Sequence, residues 1–552
     1  MRRKPVRWFL YGLLGCLVVA IGSYLWATTL MERAMDYRSP LAYQPPEPGA
    51  ALEISPLTRR VILVLVDALR YDTSRQTEVM PFLAQLRQQG ASAMMTSRPP
   101  SFSAPSWTVI LTGAWADIND GQPFNPPDDW HVRPFTQDDL FAAAERAGLK
   151  TAVAGYFWFE QMLAGRGVDA AFYTKEEDAA ADRAVVDAAL PWLDSGDYAF
   201  VLIHLDQVDY AGHHEGGPRD PRWNAAAGRV DSLLKEIASR LDLSRDALLV
   251  ISDHGQIDRG GHGGPEVVTL REPFVLVGPK VRPGYYPNVT MADVAPTVAV
   301  LLGLNLPASS QGRPLTEMLV LSAEEESRIR AADAQQKESL WRAYEAAINS
   351  RSALPVSSDE PSSYLAAMDD ARLGRLGRER VWRNVLATFL AIVPGYLLYL
   401  RREKRALPLL LGAFLYVLLF NFRYAILDGR TYSLSSVESQ EWLIPYVGLT
   451  AALALLIGWL LAMGLSNAFV KGARQAAGLA LGYVWLVLYL LALPILLSFA
   501  LNGMLVTWTL PEFYTMYLAL LSLIQAIVVA ALGLILTALT AGIGKLVHVR
   551  QQ

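Results

Sequence analysis

The chain has 552 residues, about three to four domain equivalents, and its 52% hydrophobic against 18% charged residues is too apolar for an ordinary soluble enzyme and too rich in core-forming residues for a disordered chain. A formal net charge of -4 excludes the global basic field with which a protein neutralises many nucleic-acid phosphates, so no nucleic-acid partner is expected. The single cysteine, Cys16, excludes an internal disulfide framework and any CxxC metal site, which leaves His, Asp and Glu to hold a metal.

The first element is a nearly uncharged run from Val6 to Leu30, long enough to span a bilayer. Leu13-Leu14-Gly15-Cys16 loosely resembles a lipobox, but the apolar run continues well past Cys16, which favours an uncleaved signal anchor over residues 1–31. A linker, 32–56, leads into a region at 57–319 where β-branched runs alternate with helical ones, the pattern of an α/β domain with a mostly parallel sheet flanked by helices. Strands are predicted at Arg60–Val66, Thr151–Gly155, Tyr198–Leu205, Leu248–Ser252 and Phe274–Gly278, and helices at Val79–Gln89, Gln137–Ala147, Ala181–Leu193, Arg222–Leu241 and Ala292–Leu302. Residues 320–380 are charged and lack strand signals, so a helical stalk is expected there, broken at Ser350–Ser363.

An all-α membrane domain is expected at 381–545, with five apolar blocks at Val381–Leu400, Ala406–Leu427, Trp442–Leu465, Ala476–Asn502 and Tyr514–Ala541. With the N-terminal anchor this makes six spans. The basic N-terminus, the loop Arg401-Arg402-Glu403-Lys404-Arg405, the loop with Lys471 and Arg474, and the tail from Lys545 to Arg550 then share one side, which the positive-inside rule makes cytoplasmic. Both termini are therefore expected in the cytoplasm of an integral plasma-membrane protein whose large soluble region is extracytoplasmic. Arg372, Arg375, Arg378, Arg380 and Arg383 fall on the outer face in this arrangement and dissent from it.

In open α/β sheets function collects at the carboxyl ends of strands. Three predicted strands end on liganding side chains here: the first on Asp67, the second on His204 to Asp209, the third on Asp253-His254. The chain has only seven histidines, yet His204, His213, His254 and His262 follow in this order, the last three beside glycines that admit a crowded site. Divalent cations want deprotonated carboxylates and neutral imidazoles converging from several loops. Pro105 and the apolar run to Leu111 predict a helix with Ser103 at its amino end, where a hydroxyl either caps the helix or, beside a metal, becomes a nucleophile.

These segments resemble the alkaline-phosphatase superfamily, and within it the type I phosphodiesterase and nucleotide pyrophosphatase branch that includes the glycosylphosphatidylinositol ethanolamine-phosphate transferases. The resemblance is carried by Val66-Asp-Ala-Leu-Arg-Tyr-Asp72, Thr112-Gly113 with Ile118-Asn-Asp-Gly121, Val208-Asp-Tyr-Ala-Gly-His213, and Ser252-Asp-His-Gly-Gln-Ile-Asp-Arg-Gly-Gly-His-Gly-Gly264. Asp293-Val-Ala-Pro-Thr-Val298 through Gly312-Arg-Pro-Leu315 is similar to the usual end of the superfamily's domain. The resemblance implies an alkaline-phosphatase-like fold and two divalent metal ions, zinc with manganese as the alternative. One ion would be held by Asp209, His213 and His262, the other by Asp67, Asp253, His254 and the oxygen of the nucleophile Ser103. It points to Ser106 and Asp120 as substrate contacts, although Ser106 stands where nucleotide pyrophosphatases carry Asn, which weakens any nucleotide preference.

The activity implied is phosphotransfer through a phospho-serine on a lipid-linked or glycan phosphodiester, with the bilayer as partner. Simple phosphodiester or nucleotide pyrophosphate hydrolysis is the alternative. A sulfatase is a poorer fit: Ser103-Ala-Pro-Ser-Trp107 places Trp where the sulfatase motif has Arg, and His213 and His262 add nitrogen ligands that a single calcium site would not use.

Overall fold

The computed structural model describes residues 4–357, 360–401, 406–437 and 440–550. They form two compact units: Met35–Arg378 with Thr507–Leu510, and Met1–Ala34 with Glu379–Val506 and Pro511–Gln552.

The first unit is built on a nine-stranded sheet. Its strands are β1 (Arg60–Val66), β2 (Ala91–Thr96), β3 (Thr151–Tyr156), β4 (Ala170–Thr174), β5 (Phe200–Leu205), β6 (Asp246–Ile251), β7 (Arg271–Val277), β8 (Gly284–Tyr285) and β9 (Val289–Thr290). They lie in the order β4-β3-β5-β1-β6-β7-β2-β8, with β9 also on β2. The pairs from β4 through to β6 are parallel, and only β7 runs antiparallel to both its neighbours. The mixed, mostly parallel sheet flanked by helices is the expected architecture.

β1 shows why a buried parallel strand is a continuous apolar run rather than an alternating one. Val61, Leu63 and Leu65 enter the core on one face with Trp107, Phe141 and Phe200, while Ile62, Val64 and Val66 enter the core on the other with Trp223 and Val250. Every residue of the strand is buried. The run ends at Asp67, because Ala68 takes a left-handed backbone, φ 59°, which turns the chain and aims its N–H at the Asp253 carboxylate, 3.1 Å away. The same sheet edge receives the ends of β5 and β6, so the three acidic strand ends converge.

The stalk sequence forms two helices, Ala323–Ala347 and Pro361–Arg401. The first carries a capping box, Ser322 with Glu325. The second runs on through residue 380 into the apolar block Val381–Leu400.

In the second unit, five helices are long and apolar enough to cross a membrane among the described residues: Phe9–Met35, Ala406–Leu427, Trp442–Leu465, Ala473–Asn502 and Phe513–Val547. They make the chain an integral membrane protein. The expected span Val381–Leu400 lies in the helix Pro361–Arg401, and the side chains of its last residues, like the loop 402–405, fall outside the described residues. Small residues let these helices approach: a Cβ at Gly412 would stand 2.6 Å from the Gly458 carbonyl. Buried polar pairs add to the packing, with Tyr416 donating to Gln525 at 2.8 Å and the Tyr424 and Tyr517 hydroxyls 2.7 Å apart.

Candidate metal centre and nucleophile

Asp67 follows β1 directly. Its Oδ2 accepts a hydrogen bond from His204 Nε2 at 3.0 Å, and its Oδ1 is buried with no hydrogen-bond partner. That oxygen lies 3.3 Å from Nε2 of His254, which follows β6. The His254 Nδ1–H donates to the Gly255 carbonyl at 3.2 Å, so Nε2 presents a lone pair. It faces Asp67, Asp253 Oδ2 at 3.7 Å and the Ser103 hydroxyl at 3.2 Å.

A second cluster lies against the first, with the His254 and His262 rings stacked 3.9 Å apart. The His262 Nδ1–H donates to the Ser101 carbonyl at 3.0 Å, which again frees Nε2. This nitrogen is 3.0 Å from His213 Nε2 and 3.7 Å from Asp209 Oδ1, while His213 Nε2 is 3.4 Å from Asp209 Oδ2. The ligand atoms of Asp67, Asp253 and His254 lie within 4.8 Å of one another, as do those of Asp209, His254 and His262.

Lone pairs of nitrogen and oxygen converging this closely repel unless protons or cations stand between them. The electrostatics agree. Burial, then the charges of Asp253 and Asp209, pushes the Asp67 carboxyl well above its usual range. Burial drives His262 well below the usual imidazole value and His204 down to about 3, so both rings are neutral, as metal ligands and their hydrogen-bond partners must be. Burial pushes the half-buried Asp209 carboxyl up, but the neighbouring imidazoles, His213 first, outweigh that and hold it below the ordinary value. The orphaned Asp67 oxygen and the two freed Nε2 atoms fit divalent cations with mixed nitrogen and oxygen coordination.

Local sequence makes this crowding feasible. A Cβ at Gly212, beside His213, would collide with the Gln256 amide, and Gly263, with φ 102°, passes edge-on to the Phe102 ring where a Cβ would not fit. Gln256 Nε2 in turn donates to Asp209 Oδ1, and its Oε1 accepts from the Gly261 N–H at 3.2 Å, which folds the middle of the Ser252–Gly264 motif back on itself beside Asp209.

Ser103 is the first residue of the helix Ser103–Thr112 and is buried. It does not cap that helix. Phe102 occupies the cap position without a side-chain bond, and the Ala104 N–H is satisfied at 3.1 Å by Asn125 Oδ1 from the following loop. The Ser103 oxygen is thereby released from the backbone and points at His254.

The structure thus brings together Asp67, Ser103, Asp253 and His254, and beside them Asp209, His213 and His262. Ser106 is buried one turn further along the same helix. Asp120 is placed differently: its carboxylate accepts from Arg38 at 2.6 and 2.9 Å, from the Ser39 N–H at 2.9 Å and from Thr136 at 2.9 Å, with φ 59°. These bonds tie the segment after the N-terminal helix to the domain and leave the carboxylate fully engaged. Three further contributors have no liganding role that the sequence motifs disclose. Trp107 donates its indole N–H to Asp253 Oδ2 at 2.7 Å and stacks on Phe159 at 4.4 Å, while Asn125 and Gln256 act as described.

Residues 61–263 match the family model described as Type I phosphodiesterase / nucleotide pyrophosphatase, so the chain carries a phosphodiesterase-type enzyme domain. Among curated proteins it is similar to the human GPI ethanolamine phosphate transferase 2 catalytic subunit, 26% identical over 310 residues that cover 50% of this chain and 31% of the relative. It is also similar to the human GPI ethanolamine phosphate transferase 3 catalytic subunit, 26% identical over 49% of this chain and 27% of that one. The Candida albicans GPI ethanolamine phosphate transferase 2 is 25% identical over 48% of this chain and 32% of its own length. The chain therefore spans about a third of the length of these homologues. Among solved structures, a murine ectonucleotide pyrophosphatase/phosphodiesterase 5 aligns with TM-score 0.41 and 14% identity, covering 47% of this chain and 100% of that one.

Proposed function

We propose that this chain is an extracytoplasmic, metal-dependent phosphotransferase that moves a phospho-alcohol from a lipid donor to a glycan or lipid acceptor through phospho-Ser103. The observation that carries the reading is the Ser103 oxygen, freed from capping and 3.2 Å from His254 Nε2, beside the unpartnered Asp67 Oδ1. The homology to ethanolamine-phosphate transferases supports the substrate class, and the membrane helices support a donor in the bilayer.

Asp67, Asp253 and His254 would hold one cation and Asp209, His213 and His262 the other, zinc being the ion this donor set favours. Bound there, the ions would acidify the Ser103 hydroxyl and neutralise charge on the phosphoryl oxygens. The helix amino terminus adds positive potential at the same oxygen. Ser103 Oγ attacks phosphorus, a new O–P bond forms as the donor's ester O–P bond breaks, and the departing alcohol takes up the proton that the serine loses. The acceptor hydroxyl then attacks phospho-Ser103, gives up its own proton and restores the serine.

Ser103→Ala should abolish turnover while leaving the fold and metal content in place. In the wild type, brief exposure to donor lipid without acceptor should add a phospho-alcohol mass to the Ser103 peptide. Full activity in Ser103→Ala would remove this residue from the chemistry. An unmodified Ser103 during turnover, with release of free phospho-alcohol only, would leave direct hydrolysis as the reaction.

A further inference from the structure

Away from the candidate metal centre, the loop that follows Asp67 and the edge of the sheet border an open cavity of about 750 Å3, lined among others by Tyr71, Arg75, Thr77, Arg87, Ser92 and Tyr285. The lining contains two guanidiniums and no carboxylate. Arg87 gives hydrogen bonds to the Ser74 carbonyl and, at 2.7 Å, to the Ser74 hydroxyl, which satisfies part of its fork without neutralising its charge. Neither Arg75 nor Arg87 is ion-paired among the described residues. Burial, with the charge of Arg75 beside it, pushes the Arg87 guanidinium down to about 10. Two like charges are thus held together without a counter-ion.

We propose that this cavity is a binding site for a phosphate ester of a sugar or other polyol, separate from the metal centre. A paired guanidinium cluster matches the oxygens of a phosphate, where its planar forks donate in parallel. The volume is several times what a bare ion needs and falls in the range of small-molecule sites. Phenol rings and hydroxyls from Tyr71, Tyr285, Thr77 and Ser92 suit the mixed apolar and hydroxylated faces of a polyol. No acidic side chain lines the site to repel the anion. The ligand could be soluble or the headgroup of a lipid, and the same chemistry serves both.

Arginine footprinting on the full-length protein in detergent tests this directly, because it reads the two guanidiniums rather than activity. Phenylglyoxal modification of the peptides bearing Arg75 and Arg87 is followed by mass spectrometry, with glucose 6-phosphate as soluble probe and, as lipid probe, phosphatidylglycerol set against phosphatidylcholine in vesicles holding the protein. At a probe concentration about ten times its Kd, the free fraction of the site falls to roughly a tenth, so modification of both arginines should slow about tenfold. Exposed Arg219, outside the cavity, should react unchanged. Protection by glucose 6-phosphate alone assigns a soluble ligand, and protection by phosphatidylglycerol alone assigns a headgroup. Arg75→Gln, at an exposed position, should abolish the protection of Arg87 while Ser103 phosphorylation by donor persists. No protection by either probe overturns the proposal. Equal protection by sodium sulfate overturns the polyol-phosphate assignment, and protection of Arg87 that survives Arg75→Gln overturns the paired site.

Discussion

His204 holds Asp67 by one hydrogen bond, Nε2–H to Oδ2 at 3.0 Å, while its own ring is wedged edge-on against Trp107, 4.7 Å between centroids. The bond fixes which Asp67 oxygen faces His254. Partners that orient a metal ligand in this way are typically worth about 10- to 100-fold in metal affinity, so His204→Ala should weaken zinc retention by about that factor in competition with a chelator. An unchanged affinity would show that Asp67 is oriented without it. His213→Ala and His262→Ala should each lower the metal content of the purified protein by about one ion, measured by elemental analysis. A single calcium, unaffected by either change, would overturn the two-cation reading. At this scale the sequence was informative where a residue type has few alternative uses. Asp67, Asp209, Asp253 and the three histidines stand in motifs whose spacing already brings them to one sheet edge. Asp120 shows the opposite case: a motif position does not reveal that Arg38, some eighty residues earlier in the chain, occupies the carboxylate. Asn125 was illegible for the same reason, since a side chain that caps a helix from a later loop leaves no local pattern.

The central strands are anchored at the end opposite the candidate metal centre by Asp246, the first residue of β6. It accepts from Arg60 of β1 at 2.9 Å and from Arg59 at 2.8 Å through both oxygens, and Arg60 is itself buried. Removing one partner of a buried pair strands the other charge, so Asp246→Asn should destabilise the protein by about 3 kcal/mol, seen as a lowered unfolding midpoint in the full-length chain. The pH dependence has a definite sign. Burial pushes the Asp246 carboxyl up, but the hydrogen bonds from Arg59 and Arg60 outweigh it and hold the native value below the ordinary one. The stabilisation is therefore fully present above the unfolded value of about 4 and is lost as pH falls through the lower native value, so wild type and Asp246→Asn should converge in acid. A difference that stays constant down to strongly acidic pH would show that the ion pair is not its source. β1 was readable residue by residue because burial on both faces demands an unbroken apolar run. β2, Ala-Ser-Ala-Met-Met-Thr, and β4, Ala-Ala-Phe-Tyr-Thr, lack the β-branched run and are strands because their neighbours supply hydrogen bonds. In the Ser252–Gly264 motif, Gly263→Ala would force a side chain into the Phe102 ring at φ 102°; activity and metal content should fall together, with the sheet intact by circular dichroism.

For the whole molecule, the five arginines from Arg372 to Arg383, expected on the outer face, are the feature that the charge pattern alone could not place. In the structure each has a local partner. Arg372 pairs with Asp369 at 3.3 Å, Arg375 donates to the Ile348 carbonyl at 2.8 Å and lies over Trp508, and Arg378 reaches the Ser350 hydroxyl at 3.1 Å. Arg380 donates to the Leu501 carbonyl at 2.9 Å, and Arg383 pairs with Glu379 at 3.1 Å. Side chains committed to folded neighbours on a long segment weigh little in the positive-inside rule, which counts short loops. The short loops carry the charge difference that the rule weighs: Lys471 and Arg474 follow one apolar helix and Lys545 ends another, whereas the loop after Leu427 opens with Asp428. The proposed phosphotransfer on an outer-leaflet headgroup requires Ser103 and both candidate metal clusters on the acidic side. Fusions of a reporter that is active only outside the cytoplasm should therefore be active when joined at Ser433 and inactive at Lys471, and a fusion at Ser350, in the domain itself, should match Ser433. If Ser350 matched Lys471 instead, the clusters would face the cytoplasm and an outer-leaflet donor could not reach Ser103.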